Sequence, residues 1–274
     1  MDFREISSQG LVLLGCGKMG SALLQGWLAN GLAANAVSVI DPFPSDWVKG
    51  LVASGLTLNG DIPANPAIVL AAVKPQMMGD ALPVLRPLGN GETVFLSIAA
   101  GTSIASFAAL LGEKTPIIRA MPNTPAAIAR GITALVGNAL ITEPQLAMAE
   151  GLMSAVGQTV RLDSEDQMDA VTAVSGSGPA YVFHLIETLA AAGVAQGLSP
   201  ELALKLAKAT VGGAGQLAQD AAETPAQLRV NVTSPGGTTA AALTVLMDEN
   251  TGFPNLLEKA VKAAADRGRE LGKS

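Results

Sequence analysis

The chain has 274 residues, of which 49% are hydrophobic, 15% charged and 3% aromatic, with a formal charge of −6. That length suits two domains or one large one, and an acidic balance without a Lys/Arg stripe argues against a nucleic-acid partner. The single cysteine, Cys16, rules out an intramolecular disulfide and a Cys-rich metal centre, so no metal site is expected.

The opening residues Met1-Asp2-Phe3-Arg4-Glu5 lack the basic-then-apolar order of a secretory signal. Leu11-Val12-Leu13-Leu14 is a short apolar run suited to a buried parallel strand. Gly15-Cys16-Gly17-Lys18-Met19-Gly20 follows at once, and Ser21–Leu28 then reads as a helix. This strand–turn–helix setting is what a dinucleotide pyrophosphate needs. Gly15 permits the tight turn, Gly17 lets the backbone approach the phosphates, Gly20 lets helix and strand pack closely, and the helix N-terminus offers free N–H groups. The six residues Gly15, Cys16, Gly17, Lys18, Met19 and Gly20 are therefore candidate cofactor-binding residues. Cys16 sits in a variable slot of the motif and is assigned no catalytic role.

A second strand, Val37–Ile40, ends in Asp41, 21 residues past Gly20. A carboxylate near this place takes the ribose 2′-hydroxyl of a dinucleotide. Its charge would repel a 2′-phosphate, and Lys49 is the nearest cation, so NADH is expected to serve at least as well as NADPH. The alternative is that Asp41 only caps the turn before Pro42.

Further strands are expected at Ile68–Val73, Thr93–Ile98 and Pro116–Met121, with helical stretches between them. They end at Lys74-Pro75-Gln76, Ala99-Ala100-Gly101 and Pro122-Asn123-Thr124-Pro125. The uncharged segment Thr93–Gly112 is long enough to raise the question of a membrane span. Its Gly101-Thr102-Ser103 centre instead reads as a strand, a turn and a helix start. Alternation of strands and helices implies a parallel sheet covered on both faces, with ligands at the carboxyl ends of the strands. Val160–Asp163 reads as the last strand of this first domain.

From Glu165 onward the pattern is helical. A long helix is expected from Pro179 through Ala192, then Pro200–Asp220, Pro225–Asn231, Thr239–Glu249 and Asn255–Leu271. The fold class is thus an α/β N-terminal Rossmann-like dinucleotide-binding domain with a parallel-rich sheet, 1–163, followed by an all-α C-terminal domain, 164–274. The only histidine, His184, lies in an apolar helix and reads as structural.

Thr233-Ser234-Pro235-Gly236-Gly237-Thr238-Thr239 opens a helix over Ala240–Met247. The glycines leave backbone N–H groups uncovered and the hydroxyls supply more donors. At a helix N-terminus these make an anion site without Lys or Arg, and a substrate carboxylate is its natural occupant. The plainer alternative is an ordinary Thr cap after a Gly turn. A cap needs one hydroxyl, whereas this segment has four.

The run Val171-Thr172-Ala173-Val174-Ser175-Gly176-Ser177-Gly178-Pro179-Ala180-Tyr181 and the Ser234–Thr239 turn together resemble pyrroline-5-carboxylate reductases. Ala72-Val73-Lys74-Pro75-Gln76 and Arg119-Ala120-Met121-Pro122-Asn123-Thr124-Pro125 look like two loops of the same family. The resemblance runs from Leu11 to about Leu271. It implies hydride transfer from NADPH or NADH to the C=N bond of 1-pyrroline-5-carboxylate, giving L-proline. Members of that family pair into dimers through the helical domain, and some dimers associate into decamers; the single cysteine, the lack of a secretory signal and the broken apolar segment point to a cytoplasmic protein away from membranes.

The resemblance further implies that Ala72, Val73, Lys74 and Pro75 lie along the nicotinamide ribose, Lys74 near its hydroxyls. Asn59, Asn231 and the matching stretch Ile98-Ala99-Ala100 are implied on the cofactor, and Glu165 near the substrate. Ser234, Gly237 and Thr238 would hold the carboxylate, and Thr239, as the catalytic residue, would meet the ring nitrogen. Read without the family, Lys74 is a surface charge, Asn123 a turn residue between prolines, and Glu165 part of an acidic, solvated helix start. Two other functions stay open. A β-hydroxyacid dehydrogenase would need an acid–base lysine on a second-domain helix, and Lys205 and Lys208 lack the Gly-rich turn and trailing Asn that accompany one. A non-catalytic dinucleotide sensor would keep the glycines but would not need the Thr238-Thr239 turn.

Overall fold

The central strands Leu11–Leu14 and Ile68–Ala71 are unbroken apolar runs with every residue buried, because both faces of the sheet are covered there. The computed structural model describes residues 3–272. The strands are β1 (Leu11–Leu14), β2 (Val37–Ile40), β3 (Thr57–Leu58), β4 (Ile68–Ala71), β5 (Val94–Ser97), β6 (Ile117–Met121), β7 (Gly131–Gly137) and β8 (Gly157–Arg161). They form one sheet in the order β3-β2-β1-β4-β5-β6-β7-β8. Every neighbouring pair is parallel except β6 with β7. The chain runs outward from β1 to β3 and returns to β4 on the other side of β1. At such a reversal a crevice opens beyond the carboxyl ends of the two strands, and doubly wound folds bind ligands there.

The helices are α1 (Arg4–Gln9), α2 (Lys18–Ala29), α3 (Asp46–Gly50), α4 (Met78–Ala81), α5 (Ile104–Leu111), α6 (Glu143–Met153), α7 (Met168–Val171), α8 (Gly178–Ala195), α9 (Pro200–Asp220), α10 (Pro225–Asn231), α11 (Thr238–Leu246) and α12 (Phe253–Leu271). Alternate residues of β1 enter opposite cores, as strand periodicity requires. Leu11 and Leu13 pack with Leu23, Leu24, Trp27 and Leu152 on one face. Val12 and Leu14 pack with Val69, Phe95 and Phe107 on the other. The buried Trp27 indole donates to the Leu152 carbonyl at 2.9 Å, which ties α2 to α6 and leaves no orphaned donor.

Two local expectations are corrected, and the starts expected for α9 and α10, at Pro200 and Pro225, are borne out. The stretch after β4 is only partly α-helical, since Pro83 and Pro87 turn Leu82–Leu88 into a 3-10 segment. The strand expected at Val160–Asp163 lies at Gly157–Arg161 and pairs with β7, which the sequence reading passed over with β3. The C-terminal helices begin where Ser and Thr caps precede proline. Ser199 accepts from the Leu202 N–H ahead of α9, and Thr224 from the Gln227 N–H ahead of α10.

The chain divides into two units. One runs to Gly176 and takes in the chain from Ala265; the other is Ser177–Ala264. Residues 164–176 belong to the sheet unit, where Met168 packs with Met121 and Val136. In the helical unit, Ala203 and Ala207 are the only buried hydrophobics among the described residues, while Phe183, Leu206, Leu217 and Val230 stand exposed. Eighty-eight residues with so little core need a further surface to cover them. No helix among the described residues is long and apolar enough to cross a membrane.

Candidate active site

The glycine turn joins β1 to α2 as its residue types require. Gly15 has φ +87°, and a Cβ there would sit 2.8 Å from Val73 Cγ1, so the ends of β1 and β4 touch. A Cβ on Gly20 would lie 2.5 Å from the Gly15 carbonyl oxygen; only glycine lets α2 start this close to the turn. Gly17 differs from both. It stands at the N-cap of α2 with φ −70° and ψ −158°, and a Cβ there would meet nothing within 4 Å. The fold itself does not demand glycine at 17. What Gly17 leaves open is space before the first-turn N–H groups of Lys18, Met19 and Gly20, which no carbonyl of the helix can reach. A dinucleotide pyrophosphate fits that cradle.

The loop after β2 is tied to the same turn. Asp41 Oδ2 accepts from the Cys16 N–H at 2.6 Å, and Oδ1 accepts from the Phe43 N–H at 2.7 Å. Asp41 therefore caps the turn before Pro42 and also stands at the glycine loop; the two roles read for it are compatible. Asn59, in the left-handed region at φ +51°, braces it from beyond β2. Its Oδ1 accepts from the Asp41 N–H and its Nδ2 donates to the Asp41 carbonyl, each at 2.8 Å. The Cys16 N–H is thus spent on Asp41. Burial pushes the Cys16 thiol up; contact with the Ser21 hydroxyl works against this, and the Asp41 charge adds to it.

At the end of β4, Ala72 donates to the Leu14 carbonyl at 2.8 Å and Val73 packs against Gly15, while Lys74 and Pro75 are exposed. At the end of β5, Ile98 donates to the Ala71 carbonyl at 3.1 Å and Ala99 to Ser97 Oγ at 3.2 Å. Gly15 to Gly20, Asp41, Asn59, Ala72 to Pro75 and Ile98 to Ala100 are thereby gathered at one end of the sheet. Glu165 is not a solvated helix start. Its Oε1 accepts from Arg119 Nη1 and from the Ile104 N–H, both at 2.9 Å. Arg119 is the residue the sequence reading missed, although an arginine within the run Ile117–Met121 was a visible signal. Asn123 closes the loop after β6, accepting from the Ile132 N–H at 3.0 Å and donating to Ser175 Oγ at 3.3 Å.

In the helical unit, α11 begins at Thr238 with Gly237 as N-cap and no side-chain cap. The plain Thr-cap alternative is therefore set aside. Gly236 makes the bend at φ +69°, and the Gly237 N–H is spent on the Ser234 carbonyl at 3.0 Å. The first-turn N–H groups of α11 have no helical acceptor. The hydroxyls of Ser234, Thr238 and Thr239 take no hydrogen bond among the described residues. Nearby, Asn231 Oδ1 accepts from Gln227 Nε2 at 2.8 Å, and Thr233 donates to the Arg229 carbonyl at 2.6 Å. His184 is exposed on α8 and contacts Glu187 at 3.1 Å. Lys205 and Lys208 are exposed on α9.

A parallel sheet reversing at β1 and β4, with a glycine cradle in that crevice, defines a nucleotide-dependent oxidoreductase of the Rossmann class. Residues 11–101 match the family described as NADP oxidoreductase coenzyme F420-dependent, and residues 165–271 match pyrroline-5-carboxylate reductase dimerisation. The chain is 40% identical to the pyrroline-5-carboxylate reductase of Pseudomonas aeruginosa over 97% of its own length and 98% of that protein's. It is 46% identical to the Synechocystis enzyme over 75% of each chain. The solved pyrroline-5-carboxylate reductase of Coxiella burnetii superposes with a TM-score of 0.89 at 35% identity, covering 97% of this chain and 99% of that one. The Plasmodium falciparum enzyme, solved with NADP bound, gives 0.82 at 29% identity over the same shares. The chain belongs to the pyrroline-5-carboxylate reductase family. Its helical segment is a self-association module, in keeping with the exposed apolar side chains of that unit.

Proposed function

We propose that this chain reduces 1-pyrroline-5-carboxylate to L-proline, as a cytoplasmic dimer that can build into a decamer. The observation that carries the reading is the Ser234–Thr239 turn. A helix that begins on glycine, with three hydroxyls disengaged and no Lys or Arg in the turn, suits a small carboxylate beside a polar ring atom.

Bound NADPH or NADH supplies the hydride. The first-turn N–H groups of α2 and the space at Gly17 would hold its pyrophosphate. Asp41 and Asn59 would lie along the adenosine ribose, Ala72 to Pro75 along the nicotinamide ribose, and Ile98 to Ala100 by the reacting ring. Asn231 also belongs to this set by family resemblance. The Asp41 charge disfavours a 2′-phosphate, so NADH serves at least as well as NADPH here. In the helical unit, Ser234 and Thr238 hold the substrate carboxylate and Thr239 meets the ring nitrogen, while Gly237, its own N–H engaged by the Ser234 carbonyl, keeps the approach free of a side chain.

A protonated imine is already a strong hydride acceptor, so the protein needs no strong acid. Its task is alignment of two rings, which accounts for a site rich in N–H and hydroxyl groups. This favours imine chemistry over a β-hydroxyacid dehydrogenase, which needs a general base. Steady-state rates on 1-pyrroline-5-carboxylate against a panel of β-hydroxy and β-keto acids test the choice. Turnover confined to the imine is expected, and turnover confined to the acids would refute it.

A further inference from the structure

Arg119 is the single charged residue of β6, and its side chain is only 7% exposed. Its Nε is buried without a partner, and its Nη1 donates to Glu165 Oε1 at 2.9 Å. A buried ion pair is a poor way to stabilise a core, since apolar side chains of similar volume often do as well or better. Its use lies in what it holds. Arg119 stands opposite Ser97 in the sheet register, and Ser97 Oγ accepts from the Ala99 N–H. Glu165 Oε1 takes the N–H of Ile104, the first residue of α5. The segment from Ile98 to Ile104 is thereby anchored at both ends, and it bends between them at Gly101, φ +72°. It contains no charged side chain of its own.

We infer that the Arg119–Glu165 pair is a positioning device for hydride transfer. It fixes the Ile98–Ile104 loop, and through the loop the reacting ring, without touching the substrate. This rests on the reductase reading above. Glu165 is then a positioning residue and not the substrate contact that family resemblance implies.

Glu165→Ala frees the Ile104 N–H and leaves Arg119 unpaired. Its kcat should fall by about tenfold or more, with KM for the imine and Kd for NADPH within about twofold of wild type. Glu165→Gln keeps an acceptor for both N–H groups and should recover a large part of kcat. Arg119→Met combined with Glu165→Met removes the buried charge, so it should fold even where Glu165→Ala does not, yet show the same low kcat. In each slow variant the primary isotope effect with deuterated cofactor should rise, because a misaligned ring makes hydride transfer rate-limiting. A merely structural pair would cost folded protein but leave kcat per active site and the isotope effect unchanged, which would overturn the inference. So would an imine KM raised about tenfold at unchanged kcat, the mark of substrate contact. A wild-type enzyme inactive on the imine would overturn the reductase reading together with this one, whereas active wild type with unaltered variants overturns only this one.

Discussion

Gly17→Val separates what the ligand requires from what the fold requires. A side chain at 17 meets no protein atom, and its backbone angles suit any L-residue. The stability of the free protein should therefore stay within about 0.5 kcal/mol of wild type, a shift of about 2 °C or less in a domain of this size. The isopropyl group would instead occupy the approach to the first-turn N–H groups of α2. Losing one charge-assisted hydrogen bond to a phosphate costs about 1.5–3 kcal/mol, or roughly ten- to hundredfold in Kd. Gly20→Ala is the counterpart. Its Cβ would lie 2.5 Å from the Gly15 carbonyl, so α2 must shift by about half an ångström or more, at an overpacking cost of about 1–3 kcal/mol. That variant should lose both stability and affinity. Thermal melting and a nicotinamide-fluorescence titration on the same preparations read out both quantities. Gly17→Val with wild-type affinity, or with a melting point as depressed as that of Gly20→Ala, would refute the reasoning.

Thr239→Ala should lower kcat/KM for the imine by about tenfold or more, the worth of a hydrogen bond of about 1.4 kcal/mol in the transition state, with NADPH affinity unmoved; equal losses in both would place Thr239 elsewhere. Asp41→Asn should raise the NADPH-to-NADH ratio of kcat/KM by about fivefold, since a unit charge a few ångströms from a 2′-phosphate costs about 1 kcal/mol or more. An unmoved ratio would assign Asp41 to the turn alone. The Asp248 carboxyl is held below its usual range, chiefly by the Thr251 hydroxyl and then by the N–H groups of Thr251 and Asn250. A depressed folded value stabilises above the unfolded value of about 3.9 and is lost as pH falls through the folded one. The gap in melting temperature between wild type and Asp248→Asn should accordingly shrink between about pH 6.5 and about pH 3.5, and a constant gap would count against it.

The strands that flank the crevice were legible because each is a short apolar run ending in glycine, lysine–proline or alanine–glycine. β7 was not. Gly131–Gly137 runs antiparallel to β6, and the reversal depends on a proline-rich turn with Ala129 at φ +55° and on Asn123 reaching Ile132. No local pattern announces a left-handed alanine. The glycine loop and the Ser234–Thr239 turn could be found because glycine and hydroxyl density is itself the chemistry. The partners of Asp41 and Glu165 could not, since Cys16, Asn59, Ile104 and Arg119 are 18 to 61 residues away and meet them only in the folded sheet. Glu165 in particular looks like a solvated acid in the sequence, and the buried guanidinium together with the Ile104 N–H shows otherwise.

The most direct test of the account is to follow deuterium from nicotinamide cofactor, labelled at the ring carbon that carries the hydride, into the product formed from 1-pyrroline-5-carboxylate. The account predicts L-proline labelled at its δ-carbon in step with loss of the reduced nicotinamide absorbance. Cofactor that binds and is not consumed, or proline that carries no label, would contradict it.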